Sequence, residues 1–153
     1  MDADRVVVEF PSKPENLALA RVIAAAFATR LEFTVSESEE ISVAVSEAVS
    51  NAIIHGYGEE PGIVRMELAV VDGALEITVI DHGRGIPDVE RARQPAYTTC
   101  EDRMGLGFVF MESFMDELSV SSAPGRGTTV FMRKRPEREG NDRAATRERL
   151  PEQ

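Results

Sequence analysis

Three short stretches of this 153-residue chain carry side chains able to do chemistry. In Ser46-Glu47-Ala48-Val49-Ser50-Asn51-Ala52-Ile53-Ile54-His55-Gly56, the residues Glu47, Asn51 and His55 recur at every fourth position, so a helix aligns them as one polar stripe. Two readings fit that stripe. It is either a solvated face with Glu47 exposed, or a site whose carboxylate and amide, one turn apart, supply a general base and a hard oxygen ligand for magnesium. Ala48, Ala52 and Ile53 beside it leave little room for a wide solvent face. The second stretch, Asp81-His82-Gly83-Arg84-Gly85, follows the alternating Leu75, Ile77 and Val79. An aspartate closing an apolar strand is half-buried and needs a donor, and an adenine amino group is one such donor. Glycines beside it let backbone approach a flat ring. The third, Arg103-Met104-Gly105-Leu106-Gly107-Phe108, opens a helix, whose free amides and partial positive charge suit phosphate; the competing reading is a plain loop-to-helix junction. In the phosphate reading, Gln94-Pro95-Ala96-Tyr97-Thr98-Thr99-Cys100 is a lid with threonine hydroxyls facing the phosphates.

The elements that must position these residues follow from periodicity. Val6, Val8 and Phe10 alternate as a short strand. Ser12-Lys13-Pro14-Glu15 has the form of a capping box, opening a helix to about Arg30 that buries Leu17, Ala20, Ala24 and Phe27. Ser36-Glu37-Ser38-Glu39 reads as a second box, before a helix with Ile41, Ala44, Val45, Ala48, Val49 and Ala52 inward and a stop at Gly56. Residues 63–71 and 74–80 are strands joined by Asp72-Gly73, a tight-hairpin signal. A helical turn at 88–93, a loop at 94–104, a helix at 106–114 and strands at 117–122 and 128–133 complete the body. Hairpins between neighbouring strands exclude a doubly wound sheet and predict an α+β fold, a two-layer sandwich with a mostly antiparallel sheet and its helices on one face. The tail from Pro136 is densely charged and poor in large apolar residues, so residues 1–135 form the expected domain and 136–153 an expected disordered tail.

Composition excludes several classes. Length allows one domain. No apolar run suffices for a membrane helix, since Arg21 and Arg30 interrupt the longest, and the N-terminus lacks the order of a signal peptide. A single cysteine, Cys100, forms no internal disulfide, and with two histidines it makes a poor zinc site. A cytosolic domain is the expectation. The net charge is −10, with the acidic excess in residues 1–132 and a slightly basic 133–153. Such a body repels phosphate backbone, disfavouring direct nucleic-acid binding; the charge serves solubility or a basic protein partner.

Taken together, in this order and spacing, the three stretches resemble the Bergerat-type ATP-binding fold of histidine-kinase catalytic domains, Hsp90, MutL and type II topoisomerases, over roughly residues 5–135. Ser46 to Tyr57 is similar to the small bacterial anti-sigma kinases. Ala92-Arg93-Gln94-Pro95 with Thr98-Thr99, and Met111-Glu112-Ser113-Phe114-Met115-Asp116-Glu117, are more narrowly similar to the sporulation anti-sigma F family. The resemblance implies Glu47 as the base activating a protein hydroxyl and Asn51 as the ligand of a magnesium ion on ATP. It implies Asp81 as acceptor for the adenine amino group, with Gly83, Gly85 and Thr128 lining the base pocket. Thr98, Thr99, Gly105 and Gly107 would close on the phosphates, and Arg21 would grip both protein partners. By the same resemblance, the ATP-bound homodimer holds sigma factor F, and an anti-anti-sigma factor displaces sigma and is phosphorylated on serine.

One departure stands out. Five residues, Cys100 to Met104, separate Thr99 from Gly105, and Arg103-Met104 replaces the family's serine-glycine pair, which bears on the lid's γ-phosphate contacts. Cys100 has no neighbouring histidine or acid to activate it and reads as incidental. His82 takes no catalytic role, His55 reads as a helix-end residue, and Met104, Met111 and Met115 read as core filling. The rivals are a two-component histidine kinase, which would need a phosphoacceptor-histidine helix that neither His55 nor His82 supplies; a nucleotide-gated sigma-binding module without phosphotransfer; and a stress-response anti-sigma kinase.

Overall fold

A computed structural model describes residues 4–94 and 104–137 of the chain. Five strands, β1 (Asp4–Pro11), β2 (Ile63–Val71), β3 (Ala74–Asp81), β4 (Glu117–Ala123) and β5 (Gly127–Lys134), form one sheet in the order β1-β2-β3-β5-β4. Every pairing among the described strands is antiparallel. Among the described residues four α-helices accompany it, α1 (Asn16–Ala28), α2 (Val35–Asn51), the single turn α3 (Val89–Ala92) and α4 (Met104–Phe114), with a π-helical turn after α2. The expected α+β sandwich is the fold observed.

Alternation decides which face of the sheet is buried. Val64, Met66 and Leu68 of β2, Leu75, Ile77 and Val79 of β3, and Val130 and Met132 of β5 point inward and join one core with Ala20, Ala24 and Phe27 of α1, Ile41, Val45 and Val49 of α2, and Phe108 and Met111 of α4. The opposite face carries Arg5, Glu9, Arg65 and Glu67, tied in an exposed ion cluster with contacts of 2.7–3.0 Å. Helix α2 packs between α1 and α4, so its residues control what the other two helices meet. No described helix is long and apolar enough to cross a membrane.

Both helix starts depart from expectation. Ser12 does not cap α1: its hydroxyl accepts from Gly62 N–H at 3.0 Å while its own N–H donates to Gly62 C=O at 2.9 Å, clasping the end of β1 to the start of β2. The cap position is Glu15, without a side-chain bond. The box on α2 is built by Thr34 and Glu37 rather than by Ser36 and Glu39. Thr34 Oγ1 accepts from Glu37 N–H at 3.1 Å, and Thr34 N–H donates back to Glu37 Oε1 at 2.9 Å. The helix starts at Val35, so Thr34, with an extended backbone (φ −69°, ψ 166°), is the cap and Glu37 the third helical residue. Glu37's second oxygen also accepts from Glu137 N–H at 3.1 Å, so this buried carboxylate fastens the chain just past β5. At its other end α2 does not stop at Gly56. Residues Ala52–Tyr57 form a π-helical turn, closed by Gly58 at φ 61°.

Candidate functional site

The inward face of the sheet changes character at one end. Cross-strand rows Leu68–Ile77–Met132–Leu118 and Met66–Val79–Val130–Val120 are apolar, whereas the next row along β3, β5 and β4 is Asp81–Thr128–Ser122. Asp81 is 5% exposed and Thr128 8%. Burial pushes the Asp81 carboxyl above the usual carboxylate range; N–H bonds from Gly83 and Thr128 and the charge of His82 oppose that push without cancelling it. The Gly83 bond, at 2.9 Å, occupies Oδ1 and leaves acceptor capacity on the carboxylate.

The chain reaches this row by close backbone contacts. A β-carbon on Gly56 would lie 2.8 Å from the Asp81 carboxyl, and one on Gly83 would lie 2.0 Å from Gly56 C=O, so only glycine fits at either crossing. Arg84 ties the crossing down, its backbone N–H donating to Gly56 C=O at 3.0 Å and its Nε to His55 C=O at 2.6 Å. Tyr57 adds a clasp: its hydroxyl accepts from His82 N–H at 2.8 Å and donates to Ile63 C=O at 2.6 Å. The π-turn is thereby fixed to both β2 and β3.

One turn N-terminal of Gly56 lies the polar stripe, and it is not a solvated face. Glu47, Asn51 and His55 are all partly buried, because α4 crosses them. The crossing point is Gly107, where a β-carbon would sit 2.8 Å from Glu47 Oε2 and 3.6 Å from Asn51 Nδ2. Burial raises the Glu47 pKa above the usual carboxylate range, which moves it toward the range in which a carboxylate accepts protons effectively at neutral pH. Asn51 Nδ2 and Ser46 Oγ are buried without hydrogen-bond partners. Rotating the Asn51 amide by half a turn presents its oxygen instead. Among the described residues no cluster of three or more His, Cys, Asp or Glu could hold a metal. With its amide so turned, Asn51 offers a single oxygen, a donor that fits a magnesium ion completing its shell with polyphosphate and water oxygens.

Two openings adjoin these groups. A narrow cavity bounded by Asn51, His55, Gly56, Gly85, Ile86, Phe108, Thr128 and Val130 joins the stripe to the polar row, with about 10 Å³ open to the centre of a water molecule. A wider groove of about 540 Å³ lies between residues 56–61 and 82–84, but it is bordered by neither Glu47, Asn51 nor Thr128. Size favours the groove and chemistry the narrow cavity, which touches both ends of the site; a flat ring entering there requires its walls to part.

The structure brings together Glu47, Asn51, Asp81, Gly83, Gly85, Gly107 and Thr128. Gly105 is buried in the first turn of α4. Thr98 and Thr99 lie outside the described residues, as do Cys100 and Arg103. Arg21 is elsewhere, exposed on α1 on the side away from the buried Ala20, Ala24 and Phe27, beside Val22 (65% exposed) and near Leu19 (47%). Sequence reasoning missed Tyr57 as a clasp, Gly56 as a close approach rather than a helix stop, and Ser122. The signal for Ser122 was available, since alternation from Leu118 and Val120 turns it inward.

Comparison with known proteins decides the family. The histidine kinase-like ATPase domain matches residues 10–134. An anti-sigma F factor from Geobacillus kaustophilus is 49% identical over 130 residues, 83% of this chain and 89% of that protein. The chain belongs to the histidine kinase-like ATPase family, among the anti-sigma F factors. An anti-sigma F factor of Clostridium beijerinckii is 46% identical over 138 residues, 88% of this chain and 96% of that one. Among solved structures, the RsbU and RsbW domains of a Mycobacterium tuberculosis protein superpose with a TM-score of 0.61 at 22% identity, covering 86% of this chain and 31% of that one. At that identity the likeness speaks for the fold alone. Glu47, Asn51, Asp81 and Gly107 all fall within the matched family segment.

Proposed function

We propose that this protein is an ATP-dependent serine/threonine kinase of the anti-sigma F type, which captures a sporulation sigma factor in its ATP-bound form and phosphorylates an anti-anti-sigma factor on serine. The observation that carries the reading is Glu47 and Asn51, one helical turn apart and covered by Gly107 of α4, on the helix whose next turn closes over Asp81. In this reading Asp81 accepts from the adenine amino group, and Gly83, Gly85 and Thr128 line the base. Asn51 gives one oxygen to the magnesium on the triphosphate, which when bound supplies charge neutralisation at the transferred phosphoryl. Gly105 and the first turn of α4 would lie against the phosphates, and by the family resemblance Thr98 and Thr99 would close on them. Glu47 would receive the proton of the substrate serine hydroxyl as that oxygen bonds to the γ-phosphorus and the bond from phosphorus to the bridging oxygen breaks, releasing ADP. Burial keeps this carboxylate more basic than an exposed one.

The partner surface is α1. An exposed arginine among exposed apolar side chains suits a bidentate pair with a partner carboxylate inside a drier ring. One guanidinium serving sigma and antagonist in turn makes their binding mutually exclusive. The outer edge of β1 offers pairing for a second copy of the chain, in line with a homodimer. We assign residues 1–135 to the kinase domain, 136–153 to a tail, and the activity to the cytoplasm, where a sigma factor acts.

The test incubates the protein with γ-labelled ATP, magnesium and a candidate anti-anti-sigma protein, and reads label on serine. Nucleotide binding without transfer would mark a nucleotide-gated binding module instead. For the partner face, Arg21→Ala is expected to weaken pull-down of both sigma and antagonist with ATP affinity unchanged. Native capture of both partners removes the shared-arginine switch.

A further inference from the structure

At the β4 end of the polar row lies a hydroxyl with every hydrogen-bonding capacity engaged. Ser122 Oγ is 2.7 Å from Ile86 N, 2.9 Å from Gly127 O and 2.8 Å from Thr128 Oγ1. A backbone N–H only donates and a carbonyl only accepts, so two of these bonds have fixed directions. Ile86 N–H donates to Ser122, and the single hydroxyl hydrogen of Ser122 goes to Gly127 C=O. The third contact is then filled only if Thr128 donates to the remaining lone pair of Ser122. That directs the Thr128 hydrogen toward β4, away from the narrow cavity that Thr128 borders.

The consequence is chemical. With its hydrogen committed, the Thr128 hydroxyl has only acceptor capacity left for the cavity. Asp81, its cross-strand neighbour on β3, is an acceptor too whenever ionised. Two acceptors side by side welcome an amino group and repel a carbonyl oxygen. We propose that Ser122 is a specificity-determining positioning residue, which by fixing the Thr128 hydroxyl as a donor to β4 makes the base pocket favour a 6-amino purine over a 6-oxo purine. Ser122 touches no base itself and is absent from the cavity wall; it acts through Thr128 and through Ile86, whose backbone it anchors. The inference rests on the reading of this site as an ATP site.

The experiment measures ATP and GTP affinity by calorimetry for the full chain and for Ser122→Ala, Ser122→Thr and Ser122→Cys. In Ser122→Ala the Thr128 hydroxyl is released to rotate and donate toward a carbonyl, so the preference for ATP over GTP is expected to fall roughly three- to tenfold, the worth of one neutral hydrogen bond. Ser122→Thr, which keeps a hydroxyl, restores the preference. An ATP-to-GTP ratio equal to that of the unsubstituted protein overturns the proposal, and so does equal weakening of both nucleotides, which is what a merely structural serine would give. If Ser122→Ala does not fold, the ratio in Ser122→Cys, with its weak thiol donor, decides in the same way. A failure of the ATP reading looks different: the unsubstituted protein then binds neither nucleotide.

Discussion

The two ends of the site are built on opposite plans. At the sheet end, polar groups satisfy one another: Asp81 takes N–H bonds from Gly83 and Thr128, and Ser122 ties Ile86, Gly127 and Thr128. At the helix end, Glu47 is half-buried with its pKa raised, and Asn51 Nδ2 and Ser46 Oγ are buried without partners. Unpaired buried groups cost roughly 1–3 kcal/mol each, so a fold that keeps them holds stability in reserve for something they do. The difference teaches a division of labour: in the proposed reading, recognition rests on a network whose hydroxyl donors are engaged and whose spare acceptors face the base, whereas chemistry rests on groups held without partners.

That contrast can be broken, and the largest effect is expected at Glu47. Glu47→Gln should lower phosphotransfer about 10²- to 10⁴-fold while leaving nucleotide affinity near native, read by single-turnover labelling. It also has a sign in stability. Because the folded pKa is raised, Glu47 favours the fold in acid, and that contribution is lost as pH rises through the raised value. Glu47→Gln should therefore melt higher than the unsubstituted protein at neutral pH, with the gap closing in acid. Kinase activity should fall as pH is lowered through the same raised value; an activity flat across it removes Glu47 as the base.

Asp81→Asn comes next. Its new amide can meet the adenine amino group donor to donor, and losing a charge-assisted bond of about 1.5–3 kcal/mol weakens ATP roughly 10- to 150-fold in calorimetry. Unaltered affinity would detach Asp81 from base recognition. The smallest effect sharpens the comparison at the point where α4 crosses the stripe. Gly107→Ala places a methyl 2.8 Å from Glu47 Oε2, and the carboxylate must turn aside. Alanine gains up to about 1 kcal/mol of helix propensity over glycine, which offsets the crowding in a thermal melt. The transfer rate is nonetheless expected to drop about tenfold, since small misplacements of a reacting group are costly. A native rate would show that the crossing tolerates a β-carbon.

How much of this was legible in the sequence depended on whether a signal was local. Strand alternation, the Asp72-Gly73 hairpin and the three-and-four spacing of α1 and α2 are local, and they lead to the observed sheet and core. The stripe Glu47–Asn51–His55 was visible as a spacing, but two readings survived until α4 was seen to cover it. Caps were misread for a related reason. Ser12 and Ser36 have suitable side chains, yet Ser12 is engaged by Gly62, distant in sequence, and α2 begins at Val35, which makes Thr34 the cap and puts Ser36 inside the helix. The clasp by Tyr57 and the hydroxyl of Ser122 depend on pairings between remote strands, and no window along the chain contains both partners. Those are tertiary facts.

The π-helical turn at 52–57 has a consequence for evolution and engineering alike. An α-helix advances about 100° per residue, and a wider turn lags behind that count. The angular offset between Asn51, which faces α4, and Gly56, which faces Asp81, is therefore set by one surplus residue, much as a spacer sets the timing between two cams on a shaft. Substitutions on either cam leave the timing alone. Deleting the exposed Ile54 would rotate one cam against the other while keeping every side chain named at both ends, and the molecule would retain all its parts out of phase.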